Sequence, residues 1–138
     1  MKEVYFIPDI LTVSFNEEQN YILLNWQSFR ISLGEIKKMH KEILTYARKI
    51  NCKCFIVDTS KTTSILSDEI IAWWRNEWID ILINADIKRI ITVMPENILA
   101  QQATFDWQKG QYKTIKLYNT TSLDRAERIN QEQNYIDP

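Results

Sequence analysis

The stretch from Cys54 to Trp78 constrains this chain more than any other part of it. Four apolar residues in a row, Cys54-Phe55-Ile56-Val57, end on Asp58. Consecutive apolar positions predict a strand covered on both faces, as in parallel sheets. A loop rich in hydroxyls follows, Thr59-Ser60-Lys61-Thr62-Thr63-Ser64. Ser67-Asp68-Glu69 then opens a helix that carries Trp73, Trp74 and Trp78. Ser67 is placed to cap that helix, and Asp68 and Glu69 complement its dipole. A buried strand that ends in an acid and feeds a capped helix marks the ligand edge of an α/β sheet.

The flanking sequence completes the pattern. Val4 to Ile7 reads as a strand closed by Pro8-Asp9. Ile10 to Phe15 and Tyr21 to Trp26 read as two more, joined by the polar link Asn16-Glu17-Glu18-Gln19-Asn20. So short a link predicts antiparallel pairing. Ser32-Leu33-Gly34-Glu35 is a capping box, and Ile36, Met39, Ile43, Ala47 and Ile50 then recur at helical spacing. Lys37, Lys38, Lys41, Arg48 and Lys49 take the other faces. With Glu35 and Glu42 interrupting them, they read as a solvated surface. The second helix is expected to reach about Ala85. Arg89 to Met94 is a buried strand stopped by Pro95. A third helix spans Asn97 to Gln108, and Thr114 to Tyr118 is a last strand. Ser122 caps a short final helix bearing Leu123, Ala126 and Ile129, and residues 131–138 read as a frayed polar tail.

The order βββαβαβαβα predicts one α/β domain over residues 1–138. Its single mixed β-sheet has antiparallel N-terminal strands and parallel later strands, with helices packed on it. The composition suits this, with 45% apolar and 25% charged residues. Only two glycines are present, Gly34 and Gly110, which argues against glycine-rich phosphate loops. A net charge of −1 with interspersed signs predicts neither nucleic-acid binding nor attraction to anionic membranes. Without a signal-peptide pattern or a bilayer-length apolar run, a cytoplasmic protein with no membrane span is expected. Cys52 and Cys54 should point to opposite faces, and His40 is the only histidine. No metal site and no cofactor are expected from that ligand set.

The element order and the strand end Val57-Asp58-Thr59 resemble the STAS/SEC14-type, SpoIIAA-like domains. So do the helix start Ser67-Asp68-Glu69, the Trp73 and Trp78 pair and the closing segment Leu117–Ala126. Many relatives of that kind are small bacterial single-domain proteins. The resemblance implies the SpoIIAA-like fold and a regulatory or protein-interaction role. Anti-sigma-factor antagonists of that fold carry Asp-Ser-Ser-Gly at this helix start, and a partner kinase phosphorylates the second serine. Aligned on Asp58, those positions hold Leu66, Ser67, Asp68 and Glu69. The resemblance therefore implies that the phosphorylatable serine switch is missing here.

Two surfaces are candidates for function. The first is a rim where Asp58-Thr59-Ser60, Pro95-Glu96-Asn97 and Asn119-Thr120-Thr121 meet. It sets Asp58, Asp68, Glu69 and Glu96 against Lys61, so a basic peptide or a neutral hydroxylated ligand suits it better than an anion. Those acids also have local capping roles open to them. The second is the tryptophan helix. Ile70, Ile71, Trp74, Trp78, Ile81 and Leu82 form one apolar stripe. Trp73, Ile79 and Ile83 fall roughly 120° or more from its centre. Trp73 should therefore meet another element or another chain. The expected function is a non-catalytic interaction module that binds a protein partner or itself through this helix. The expected binding residues are Asp58, Thr59, Ser67, Asp68, Trp73, Trp74, Trp78 and Glu96, with no catalytic residue. The alternative is a small-molecule or lipid pocket lined by Trp74, Trp78 and Trp107. An acid–base enzyme using Asp58 and Asp68 is the least supported reading.

Overall fold

A computed structural model describes residues 1–62, 64–108 and 115–136. Six strands form one sheet: β1 (Lys2–Ile7), β2 (Leu11–Asn16), β3 (Tyr21–Trp26), β4 (Cys54–Asp58), β5 (Arg89–Val93) and β6 (Lys116–Thr120). β1 to β3 pair antiparallel. From β3 to β6 every pairing is parallel, with Ile22 opposite Phe55, Phe55 opposite Ile90 and Ile90 opposite Leu117. The last strand runs two residues past the expected Tyr118 end. Thr63, Gly110 and Thr114 lie outside the described residues.

The strands lie across the sheet in sequence order. Right-handed crossovers that all step the same way put their helices on the same face. Accordingly α1 (Leu33–Lys49), α2 (Asp68–Trp73), α3 (Ile79–Asn84) and α4 (Ile98–Gln108) share one apolar core with Ile22, Leu24, Trp26, Phe55, Val57 and Ile90. The pleat sends Tyr21, Leu23, Cys54, Ile56, Ile91 and Val93 to the opposite face. There they meet α5 (Leu123–Ile136) through Leu123, Ala126 and Ile129. Cys52 packs in the first core and Cys54 in the second, on opposite faces as their spacing predicts. This order contains no reversal. Among the described residues the sheet therefore has no topological switch point, the usual place for a ligand crevice in such folds.

The tail reading is corrected at α5, which continues as helix to Ile136. Asn130 and Asn134 donate their side-chain amides to the Gln19 carbonyl at 2.8 and 3.1 Å. The buried Arg89 guanidinium donates to Asn130 Oδ1 at 2.9 and 3.2 Å and also reaches Asn134. A buried cation needs such acceptors. Side chains that look like solvating residues in sequence thus fasten the last turns of the helix to the β2–β3 turn.

Candidate functional site

Of the three expected rim loops two line one cleft, and the third is tied to the β5 exit by the Met94 amide, which donates to the Thr120 carbonyl at 2.8 Å. Ser60, Lys61, Thr62, Glu96 and Asn97 line a shallow cleft there. Thr59 donates from its amide and its hydroxyl to the Val93 carbonyl at 3.0 and 2.8 Å, which ties the β4 exit to β5. Asp58 is buried, and its Oδ1 accepts from the Ser60 amide at 2.9 Å and the Ser60 hydroxyl at 2.6 Å. This is an Asx turn, in which a carboxylate satisfies its own loop. Ser67 Oγ accepts from the Ile70 amide as the α2 N-cap, and Asp68 stands exposed in the first turn. Glu96 is exposed beside Asn97, whose Oδ1 caps α4 by accepting from Leu99 and Ala100. Asn119 is held by a reciprocal amide pair with Gln108. Asp58, Thr59, Ser67 and Asn97 thus each have a local structural role, while Asp68 and Glu96 stand exposed.

The tryptophan helix departs from the expected geometry. Between α2 and α3 the residues Trp74–Trp78 form a π-helical turn, while the dihedrals at both junctions stay right-handed helical. The rod is therefore continuous, with one extra residue in the turn. One residue offsets the faces before and after the turn by about 100°. Ile79, expected outside the stripe, is buried, and Ile81, expected inside it, is 36% exposed. Trp73 and Trp78, about 140° apart in an unbroken α-helix, come to about 40°. Both can then meet the same neighbour.

That neighbour is His40 of α1. Its ring lies 5.5 Å from Trp73 and 5.2 Å from Trp78, centroid to centroid. Of the two outcomes expected for Trp73, another element or another chain, the structure shows the first, and Trp73 is 5% exposed. Trp78 continues to Trp74 at 5.2 Å and Trp107 at 5.4 Å, and Trp74 reaches Trp26 at 6.5 Å. Through His40 all five tryptophans of the chain join one cluster. Its polar atoms are unusual. Neither His40 nitrogen has a hydrogen-bond partner among the described residues, and neither do the indole N–H groups of Trp26, Trp74 and Trp78. Burial holds the His40 pKa down from 6.5 to about 3, so the imidazole stays neutral.

A groove of about 460 Å³ opens directly over Trp73 and His40, between α1 and the π turn. Lys37, Lys41, Leu44, Thr45 and Arg48 form its α1 wall, and Glu77 and Ile81 form the other. That volume is in the range of ligand sites. The residues missed in sequence are the α1 cations. Their signal was the spacing 37, 41 and 48, which puts the three cations on one helical face with Leu44 and Thr45. Among the described residues no group of three or more His, Cys, Asp or Glu is placed to hold a metal, and no helix is long and apolar enough to cross a membrane. Compared with known proteins, the chain matches no family model, no curated protein and no solved structure.

Proposed function

We propose that this chain is a non-catalytic recognition module, regulatory or interaction-forming in the STAS/SpoIIAA-like manner. Its binding surface is the groove between α1 and the α2–α3 rod. The observation that carries the reading is the floor of that groove. Beside a π turn, Trp73 packs on His40 of α1 under an open recess flanked by charged side chains. π turns within helices recur at functional sites, because they give up regular backbone bonding for a particular placement of side chains. The STAS-type likeness rests on the element order, the strand-end Asp58 and the helix start at Ser67. Leu66 is buried and Ser67 serves as the cap, which supports a module without the phosphorylation switch.

The alternative of a lipid or apolar ligand among Trp74, Trp78 and Trp107 has less support. Those rings lie 5.2–5.7 Å apart, the ordinary spacing of packed aromatic pairs, so a ligand would have to part them. The test is amide chemical-shift mapping of the isotope-labelled chain against a mixed library of small molecules and short peptides. Shifts clustered on Lys41, Trp73, Glu77 and Ile81 are expected. Hits that collect at Ser60 and Asn97, turnover of a library compound, or no hits would overturn the reading.

A further inference from the structure

Helix α1 contributes no acid to the tryptophan groove. Glu42 lines a small cleft on the β1 side with Val4, Tyr5, Tyr46 and Lys49, where a cation stands beside it. The Tyr5 hydroxyl has its pKa raised by burial first, and then by the Glu42 and Glu35 carboxylates. Lys37, Lys41 and Arg48 instead line the tryptophan groove. None of the three has a carboxylate within ion-pair distance among the described residues, where the salt bridges found are those of Asp86 with Lys53 and Lys88. Glu77 alone brings negative charge to the groove lining, against three cations. From position 37 to position 48 the stripe extends about 16 Å along the helix axis, or roughly three turns. Leu44 lies between the charges, and Trp73 and the half-exposed Ile81 lie across from it.

We infer that this groove receives an acidic amphipathic peptide segment of a partner protein, whose carboxylates meet Lys37, Lys41 and Arg48 while its apolar side chains rest on Leu44, Trp73 and Ile81. The inference rests on reading the groove as the recognition surface and names what fills it. Charge complementarity and extent carry it. A compact anion reaches the neighbouring pair Lys37 and Lys41 but leaves Arg48 about two turns away. A segment of matching length addresses all three and the apolar patch between them, as in helix-in-groove recognition. The cations supply orientation and encounter rate, and the apolar floor supplies burial.

The test is selection from a phage-displayed library of peptides about 12 residues long, enough for roughly three helical turns. The full chain is the bait, and the enriched peptides are then synthesised and measured by fluorescence anisotropy. Enriched sequences are expected to pair several Asp or Glu with at least one large apolar residue. Their affinity is expected to fall at least about tenfold when Lys41→Glu and Arg48→Glu are combined, and severalfold on raising salt well past the physiological Debye length of about 8 Å. All three cations are exposed, so reversing them leaves the core intact. Enrichment of uncharged peptides that Ile81→Asp disrupts but charge reversal does not would overturn the acidic partner and leave the groove as the recognition surface. Peptides indifferent to both changes, or no enrichment, would overturn the partner and count against the groove as well. Charge-dependent binding to phosphatidylglycerol vesicles, with no selected peptide competing, would assign the cations to a membrane surface instead and overturn the inference.

Discussion

At the rim, Asp58 turns its carboxylate back on its own loop, where Ser60 donates to it from both backbone and hydroxyl. In the groove, Lys37, Lys41 and Arg48 extend from α1 beside apolar neighbours and meet no carboxylate among the described residues. The two regions use charged residues for different ends. Asp58 closes its own turn, and Ser67 and Asn97 cap the helices beside it, so the bonding capacity of these groups is taken up by the fold. Groove cations stand on a helix beside a packed aromatic floor and have no ion pair among the described residues, and under the proposal above that capacity serves a partner.

The strongest way to break this comparison is to attack the floor. Trp78 is almost fully buried and touches His40, Trp74 and Trp107. Trp78→Ala is expected to remove about 3–5 kcal/mol in denaturant unfolding, because the cavity it leaves is lined by large rigid rings that relax poorly. Trp73→Phe keeps an aromatic ring against His40 and should remove less, about 1–2 kcal/mol. If Trp78→Ala is no more harmful than a rim substitution, the groove does not stand on the core and the contrast fails.

Acid sharpens the same contrast. His40 has a pKa near 6.5 when unfolded and about 3 when folded. Between those values the unfolded chain binds the extra proton, so acid favours unfolding. The stabilisation from the neutral imidazole is fully present above pH 6.5 and is lost progressively as pH falls toward about 3. At pH 5 the loss from this group is about 2 kcal/mol. His40→Leu removes the titration along with two unpartnered nitrogens, so its stability should exceed that of the native chain at pH 5 by more than it does at pH 7. Urea midpoints at the two pH values decide the matter. An equal acid response in His40→Leu and the native chain would show that the ring is solvated in solution.

Rim substitutions come next in size. Asp58→Ala strips the Ser60 amide and hydroxyl of their acceptor and should cost about 1–2 kcal/mol, with Asp58→Asn closer to neutral because it keeps an acceptor oxygen. Asp68→Asn, on an exposed first-turn residue, should alter stability by a few tenths of a kcal/mol through the helix dipole. An Asp58→Asn variant that folds normally but abolishes binding to a selected peptide would move recognition back to the rim.

Much of this architecture is legible in the sequence. Tyr21–Trp26 and Cys54–Asp58 are strands at the bounds their composition sets, since polar links and a terminal acid punctuate them. The parallel half of the sheet follows from the helices between its strands. The π turn was hidden, because reading an apolar stripe presumes 3.6 residues per turn throughout. Its trace is a phase slip: Ile70, Ile71 and Trp74 mark one stripe, and Ile79 and Leu82 resume it about 100° late. The groove was hidden for a related reason. Glu35 and Glu42 interrupt the lysines along the chain, yet lie roughly 140–160° from Lys37 around the helix. Asn134 reads as a tail residue because its partners, Gln19 and Arg89, are distant in sequence and near only in the fold.

The smallest expected effect bears most directly on function. Replacing Lys37, Lys41 and Arg48 together by Gln keeps side-chain length and removes charge from an exposed helical face. Substitutions of this kind usually stay within about 0.5 kcal/mol of the parent, and these three have no ion pair to lose among the described residues. Relief of repulsion between the i, i+4 pair Lys37 and Lys41 should offset any lost interaction with the C-terminal helix dipole at Arg48. A denaturation midpoint shifted by more than about 1 kcal/mol would mean that the cations serve the fold, as Asp58 does at the rim. An unchanged midpoint together with lost peptide binding would separate the two regions as proposed, with stability held under the groove by rings and recognition held above it by charge.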